Sequence, residues 1–372
     1  MSNSGFSREI FNEILIIKIA SQLKANFTEF EHKLFVRKAS LFNESCGLMK
    51  RANIIADALV ECLPSDFNRS GQIIRSTFEP IQKNQSNWKN FIYMPYAMYI
   101  ERKGCKKEHL ELSYDLLREI TKRFTSEFAI RTFLVNFPIT TLKILKEWAY
   151  DQNPNVRRLA SEGCRPRLPW AKEIKAFKKN PYPGIELLQI LKNDDSKYVQ
   201  KSVANHMNDI AKDNPKIALK ILRQWKKENK PNTNWIVKHA LRNELKKGNP
   251  EALKIYGFSL SPKIEISKFL LSHKELKIGD SVKFSFTLTN SGYTTENFII
   301  DYVCFYMKSN NRKTPKTFKI VTKKLKKGES IAIEKAHSFK PLSTRKLHIG
   351  KHKIALFVNG KIIAEKSFEL IG

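Results

Sequence analysis

Acidic residues are the scarce class in this 372-residue chain: 36 Asp+Glu face 67 Lys+Arg, a formal net charge of +31. A field of that sign attracts a polyanion, either nucleic acid or an anionic membrane surface, although a lysine-rich proteome produces the same excess with no anionic partner. Cysteine is thin as well. Cys46, Cys62, Cys105, Cys164 and Cys304 form no short pair, which argues against a zinc knuckle or a disulfide framework and leads us to expect reduced thiols in the cytoplasm. Glycine (14) and proline (15) are too few for a low-complexity chain, and 41% hydrophobic with 11% aromatic residues excludes a mainly disordered one. Long apolar runs are also missing. The opening MSNSGFSREIFNEILIIKIA has a polar lead and an apolar stretch broken by Lys18, without the cationic start of a signal peptide or the length of a membrane span, so no membrane partner is expected.

What is present falls into two regimes. Up to Phe258 the apolar spacing is helical, and three stretches resemble one another: LKILKEWAYDQNPNVRRLASEG, LLQILKNDDSKYVQKSVANHMND and LKILRQWKKENKPNTNWIVKHALRN. Each reads as an amphipathic helix, a polar turn and a second helix, with a period near the roughly 40 to 47 residues of HEAT-type units. Such units bury their apolar faces only by stacking, so their second helices should line up on one side. From Ser261 the period changes to two: Val282, Phe284, Phe286 and Leu288 alternate with polar residues, and Asn359-Gly360 separates two strand-like runs as a hairpin turn. The fold class expected is therefore an all-α HEAT-like helical repeat solenoid over residues 1–258, followed by a small all-β immunoglobulin-like sandwich over 261–372, without the Cys, Trp, Cys hallmark of antibody domains. From Ser261 onward there are 22 Lys+Arg against 9 Asp+Glu, so both halves are basic.

Periodicity assigns faces. Val199, Val203, Met207 and Ile210 make a core stripe, which turns Lys201, Asn205, His206 and Asp209 outward; Val156, Leu159, Ala160 and Gly163 face in while Arg158 and Glu162 face out; the third copy presents Trp235, His239 and Arg242. Arg157, Arg158, Arg165 and Arg167 surround Glu162, and Trp170 ends that segment. Arginines suit bidentate phosphate contact and an indole offers a flat face to a base or cation. The structural alternative is an i,i+4 pair of Arg158 with Glu162, prolines that stop a helix, and Trp170 filling a gap between repeats. Asp209 lies near a helix C-terminus, where the macrodipole disfavours a negative charge that Lys212 could offset. The next helix is expected to start at Pro215, capped by Asn214. Glu127 has a bland reading as an acid in a first turn capped by Ser126. No His or Cys spacing suggests a metal.

The segment RRLASEGCRPRLPWA, with the upstream FTSEFAIR and the later VANHMNDIAKDNP and NWIVKHALR, resembles the AlkC branch of the bacterial HEAT-like-repeat DNA glycosylases over Phe124 to Arg242. The sandwich is similar to the immunoglobulin-like domain of one subgroup of that family. The resemblance implies base excision repair of double-stranded DNA carrying alkylated bases, in which the N-glycosidic bond of cationic lesions such as 3-methyladenine and 3-methylcytosine is hydrolysed. It implies catalytic carboxylates at Asp209, Glu162 and Glu127, and DNA-contacting positions that include Arg158, Arg165 and Trp170. Arg167, Lys201, Asn205, His206, Trp235 and His239 complete the expected DNA-binding set. No cofactor or metal is expected, the protein should be a monomer, and no lysine stands out as a Schiff-base nucleophile, so strand cleavage is not expected. The competing class is a non-catalytic HEAT-repeat scaffold that binds DNA or protein; convergence or dispersal of the three acids discriminates the two.

Overall fold

The computed structural model describes residues 10–43, 45–81, 89–310, 312–342 and 346–372. Helices run from Glu13 to Ile255 and strands from Ile264 to Ile371, so the change of period in the sequence marks the change of secondary structure. Compactness divides the chain differently. One unit comprises Met1–Ala218 with Glu228–Ala240, and the other Leu219–Lys227 with Leu241–Gly372.

The three repeat motifs form the helices they predict: Pro138–Trp148 with Pro154–Glu162, Tyr182–Leu191 with Lys197–Asp213, and Pro215–Lys227 with Pro231–Ala240. Four of these begin on proline, which fits the first helical position because its missing N–H has no intrahelical partner there. Asn153 caps the second of them, its side chain accepting from Asn155 N at 2.9 Å. The second helices of the three pairs pack side by side, Lys197–Asp213 lying against both Pro154–Glu162 and Pro231–Ala240. That central position enclosed a helix read from sequence as two-faced. The stripe Val199, Val203, Met207 and Ile210 is buried as expected, but Gln200, Ser202, His206, Asn208 and Asp209 are buried too. The outward placements of His206, Asp209 and Glu162 are thereby corrected. Of the two caps expected, one differs. The helix after Glu127 starts only at Ala129, and the Ser126 hydroxyl donates to the Leu117 carbonyl (3.1 Å). The other is as expected: the helix begins at Pro215 with the Asn214 carbonyl accepting from Ala218 N (3.1 Å), and the Asn214 amide donates to Lys178 O at 2.7 Å.

The second unit holds two sheets. β1 (Ile264–Leu271), β3 (Ser281–Asn290) and β6 (Ser330–Ser338) form one in the order β1-β3-β6; β2 (Glu275–Lys277), β4 (Glu296–Met307), β5 (Lys313–Leu325), β7 (Gly350–Val358) and β8 (Lys361–Ile371) form the other in the order β2-β8-β7-β4-β5. Val282, Phe284, Phe286 and Leu288 of β3 share one core with Phe298, Ile300 and Tyr302 of β4 and Ile354, Leu356 and Val358 of β7, which makes the pair a sandwich. The β7–β8 hairpin turns at Asn359 (φ 44°) and Gly360 (φ 83°), the two left-handed residues that a two-residue primed turn requires. A side chain at Gly360 would also strike the Gly248 backbone at 2.4 Å.

Candidate active site and nucleic-acid interface

Glu127, Glu162 and Asp209 come from three different elements and are joined by two arginines. Glu127 precedes the Ala129–Asn136 helix, Glu162 is the last residue of Pro154–Glu162, and Asp209 sits four residues before the end of Lys197–Asp213. Arg158 Nη1 donates to Glu127 Oε2 and to Thr125 Oγ1 (3.0 Å), and its Nη2 lies 3.3 Å from Glu162 Oε1. Arg165 Nη1 donates to the same Glu162 oxygen at 2.7 Å, while its Nε and Nη2 both grip Asp209 Oδ2 at 2.8 Å. The remaining oxygens of Glu162 and Asp209 are also engaged: Ser202 donates to Glu162 Oε2 (2.6 Å) and Lys212 to Asp209 Oδ1 (2.9 Å). The chain of ions thus runs Glu127, Arg158, Glu162, Arg165, Asp209, Lys212, with signs alternating. It is mostly dry, since Asp209 is 1% and Glu162 6% exposed, whereas the Lys212 side chain at its end is 43% exposed.

The electrostatics follow from this order. Burial opposes ionisation of Glu162, but Arg158, Arg165 and the Ser202 hydroxyl outweigh it and hold its pKa below the usual carboxylate range. Arg158 and Arg165 likewise overcome burial through their acidic neighbours, and their pKa values rise. At His206 burial wins over the opposing pull of Asp209 and Glu162. Burial drives its pKa down to about 4, and its Nδ1 sits 3.0 Å from the Ser161 carbonyl, which can only accept, so Nδ1 donates. A surface DNA contact by His206 is therefore excluded by its enclosure between the helices.

The other expected positions are distributed as follows. Arg167 is held by Asp213 (2.6 and 2.8 Å) and Glu173 (2.9 Å), and Arg157 by Asp194, so neither joins the central chain of ions. Trp170 is 77% exposed and adopts φ 64°, so it does not fill a gap between repeats. Lys201 is exposed and Asn205 half-buried. Trp235 and His239 stack at 5.0 Å with their planes 9° apart, and Lys197 Nζ lies 5.4 Å from the indole centroid. Sequence reasoning missed Tyr198, over whose ring the Arg158 guanidinium sits at 4.9 Å. The signal was available: Tyr198 shares the i, i+3, i+7 face of Lys201 and Asn205. Ser202 was missed because a hydroxyl on a buried face has no pattern of its own. Among the described residues, no group of three or more His, Cys, Asp or Glu side chains is arranged to hold a metal ion, and no helix is long and apolar enough to cross a membrane.

Known proteins resemble this chain over nearly its whole length. Residues 265–372 match the family model of the C-terminal Ig-like domain of the uncharacterised protein YhaZ. Over 364 residues, 98% of this chain and 99% of the relative, the sequence is 33% identical to YhaZ of Bacillus subtilis (strain 168). The solved structure of the alkylpurine DNA glycosylase AlkC of Pseudomonas fluorescens, bound to DNA containing an abasic site analog, superposes with a TM-score of 0.90 at 32% identity, covering 98% of this chain and 99% of that one. By sequence and by fold over nearly its whole length, the chain belongs to the AlkC-type family of HEAT-like-repeat DNA alkylation repair glycosylases that carry a C-terminal immunoglobulin-like domain.

Proposed function

We propose that the protein hydrolyses the N-glycosidic bond of alkylated bases in duplex DNA, that its substrates are cationic lesions such as 3-methyladenine and 3-methylcytosine, and that it acts as a cytoplasmic monomer without cutting the strand. The observation that carries this reading is the union of Glu127, Glu162 and Asp209 through Arg158 and Arg165. A buried ion network is weak support for stability, since apolar residues of similar volume often serve as well or better, so its presence is better explained by use. A scaffold would have no need of it.

The chemistry suits the residues. An N-alkylated base already carries positive charge; when the C1′–N bond breaks, the electron pair moves to the base and neutralises it, so no strong general acid is required. The sugar is left cation-like, and a nearby ionised carboxylate stabilises that charge while water adds at C1′ and passes its proton to that carboxylate, from which it is lost to solvent. We assign the leading role to Asp209. Its Oδ1 is bonded by the exposed Lys212, so an arriving cation can take the amine's place without disturbing the grip of Arg165 on Oδ2. Glu162 and Glu127 complete the negative lining, Tyr198 and Trp170 offer ring faces to a cationic base, and Arg167, Lys201, Asn205, Trp235 and His239 are assigned to the DNA strand. We assign the reaction to residues 1–258 and give the basic segment 261–372 the task of holding the duplex.

Release of free base from methylated DNA tests the proposal. Asp209→Asn and Glu162→Gln should each slow single-turnover release by about 100- to 1,000-fold, the scale of losing one preorganised electrostatic group, while DNA affinity is retained. Full activity in both variants rejects the carboxylate mechanism. No release by the wild type leaves a binding module.

A further inference from the structure

We infer that Arg131, which the sequence pattern does not single out, is the positioning residue of this site: it fixes the segment Gly163–Lys172 and supplies a positive charge from behind the acids. The inference rests on the proposed role of Glu127, Glu162 and Asp209 in base release.

Arg131 lies on the Ala129–Asn136 helix, one turn beyond Glu127, and is buried. Its hydrogen bonds all go to backbone carbonyls. Nη1 donates to Gly163 O (3.0 Å) and Arg165 O (2.7 Å), and Nη2 to Lys172 O (2.6 Å). A guanidinium costs several kcal/mol to desolvate, and burial lowers the pKa of Arg131, so the carbonyls that receive it are a strong local demand on the fold. They are the right recipients. The Pro154–Glu162 helix ends immediately before Gly163, where carbonyls lack intrahelical partners and the macrodipole favours a cation. One planar group thus holds both ends of the segment that carries Arg165, Arg167 and Trp170. Its root is fixed a second way: a side chain at Gly163 would meet Ile130 Cγ2, the neighbour of Arg131, at 2.6 Å.

The consequence reaches the acids by two routes. Through geometry, holding the Arg165 carbonyl holds the fork that grips Glu162 and Asp209, and pinning Lys172 supports the left-handed backbone at Trp170, a conformation that costs free energy in any residue but glycine. Through charge, Arg131 attracts Glu127 and Asp209; the other groups that act on it are Cys164 and the like-charged Arg165. Arg158 and Arg165 bond the acids directly, whereas Arg131 adds positive charge near Glu127 and Asp209 without covering an oxygen that a substrate would need.

Arg131→Lys and Arg131→Met in the full-length protein separate the two routes. Both should lower the single-turnover rate of base release at saturating DNA by about 10- to 100-fold, the loss expected when a reacting group is misplaced by about 1 Å. Both should raise amide hydrogen exchange within 163–172 above its wild-type rate, with the rest of the helical unit unchanged. The acid limb of the pH–rate profile should move to higher pH in the methionine variant and stay in place in the lysine variant, which keeps the charge. A wild-type rate in Arg131→Met overturns the inference, as does a rate loss that only follows the folded fraction with acid limb and exchange unmoved. If the wild type releases no base, the proposed function fails while the exchange measurement still decides the clamp: a rise confined to 163–172 supports it, and a uniform rise defeats it.

Discussion

The helical unit and the sandwich each bury a network of polar side chains, and the two networks are built from different groups. In the first, ions are tied to ions in the line from Glu127 to Lys212, and the line reaches solvent at Lys212 and, through Arg158, at Tyr198. In the second, the His337 ring stands between the hydroxyls of Tyr302 (2.8 Å) and Tyr306 (2.6 Å), walled by Phe318 and Phe339. An imidazole with one N–H and one lone pair satisfies both hydroxyls, and no acid is involved in those contacts. Equal burial therefore does not mean equal purpose: on the proposed reading the first network keeps charge available where a ligand can displace a partner, while the second joins the two sheets through Tyr302, Tyr306 and His337.

Neutralising Asp209 or Glu162 is the change that should separate the regions most, by the two to three decades in rate given above. Next comes a pH effect carried in the helical unit by His206; the sandwich has titrating groups of its own in Asp301, which burial raises to about 6, and His352, which burial lowers. The folded pKa of His206 is lowered from 6.5 to about 4, so between those values the unfolded chain takes up a proton that the folded chain refuses. Its contribution to stability is present in full above pH 6.5, is lost as pH falls toward 4, and changes little below that; the total is about 3 kcal/mol. His206→Gln should flatten the dependence of unfolding midpoint on pH across that window, and a variant curve parallel to the wild type would contradict the assignment. In the sandwich, His337→Phe leaves two buried hydroxyls short of a partner and should lower stability by about 2 kcal/mol, read as a shift in the urea midpoint, while the rate of base release at saturating DNA stays unchanged. A rate loss there would break the comparison by giving the sandwich cluster a share in the chemistry.

The sequence makes some of this legible and hides the rest for identifiable reasons. The hairpin at Asn359-Gly360, the alternation of Val282 to Leu288 and the start at Pro215 are local signals, and each is realised in the structure. Glu127 entered the set only through the family resemblance, whereas Asp209 and Glu162 could be singled out locally, one as a carboxylate near a helix C-terminus and the other as a carboxylate among arginines. Their burial could not. A hydrophobic stripe fixes one face of a helix but says nothing of how many neighbours surround it, and Lys197–Asp213 has a helix on two sides. Nor could the pairing of Arg165 with Asp209 or of Arg158 with Glu127 be read, since each joins residues more than thirty positions apart. Arg131 lies within the quoted motif FTSEFAIR, yet its partners are backbone carbonyls, which every residue carries and no sequence pattern marks.

Trp170 sharpens the comparison at its smallest scale, because it reverses the usual relation between a large aromatic and the fold. A buried ring such as Phe339 stabilises the sandwich by its area, whereas Trp170 is 77% exposed and holds a left-handed backbone that favours glycine. Removing its side chain should therefore change stability by no more than about 0.5 kcal/mol, the range of surface substitutions. If the indole stacks on a base or faces a cationic lesion, Trp170→Ala should weaken binding of methylated DNA by about tenfold, at the lower end of the range for loss of one aromatic stacking contact. Trp170→Phe, which keeps a ring, should recover part of that loss. Equal affinity in all three proteins, measured by fluorescence anisotropy at fixed salt, would leave the exposed indole without a role in recognition and return the weight of selectivity to the acids and Tyr198.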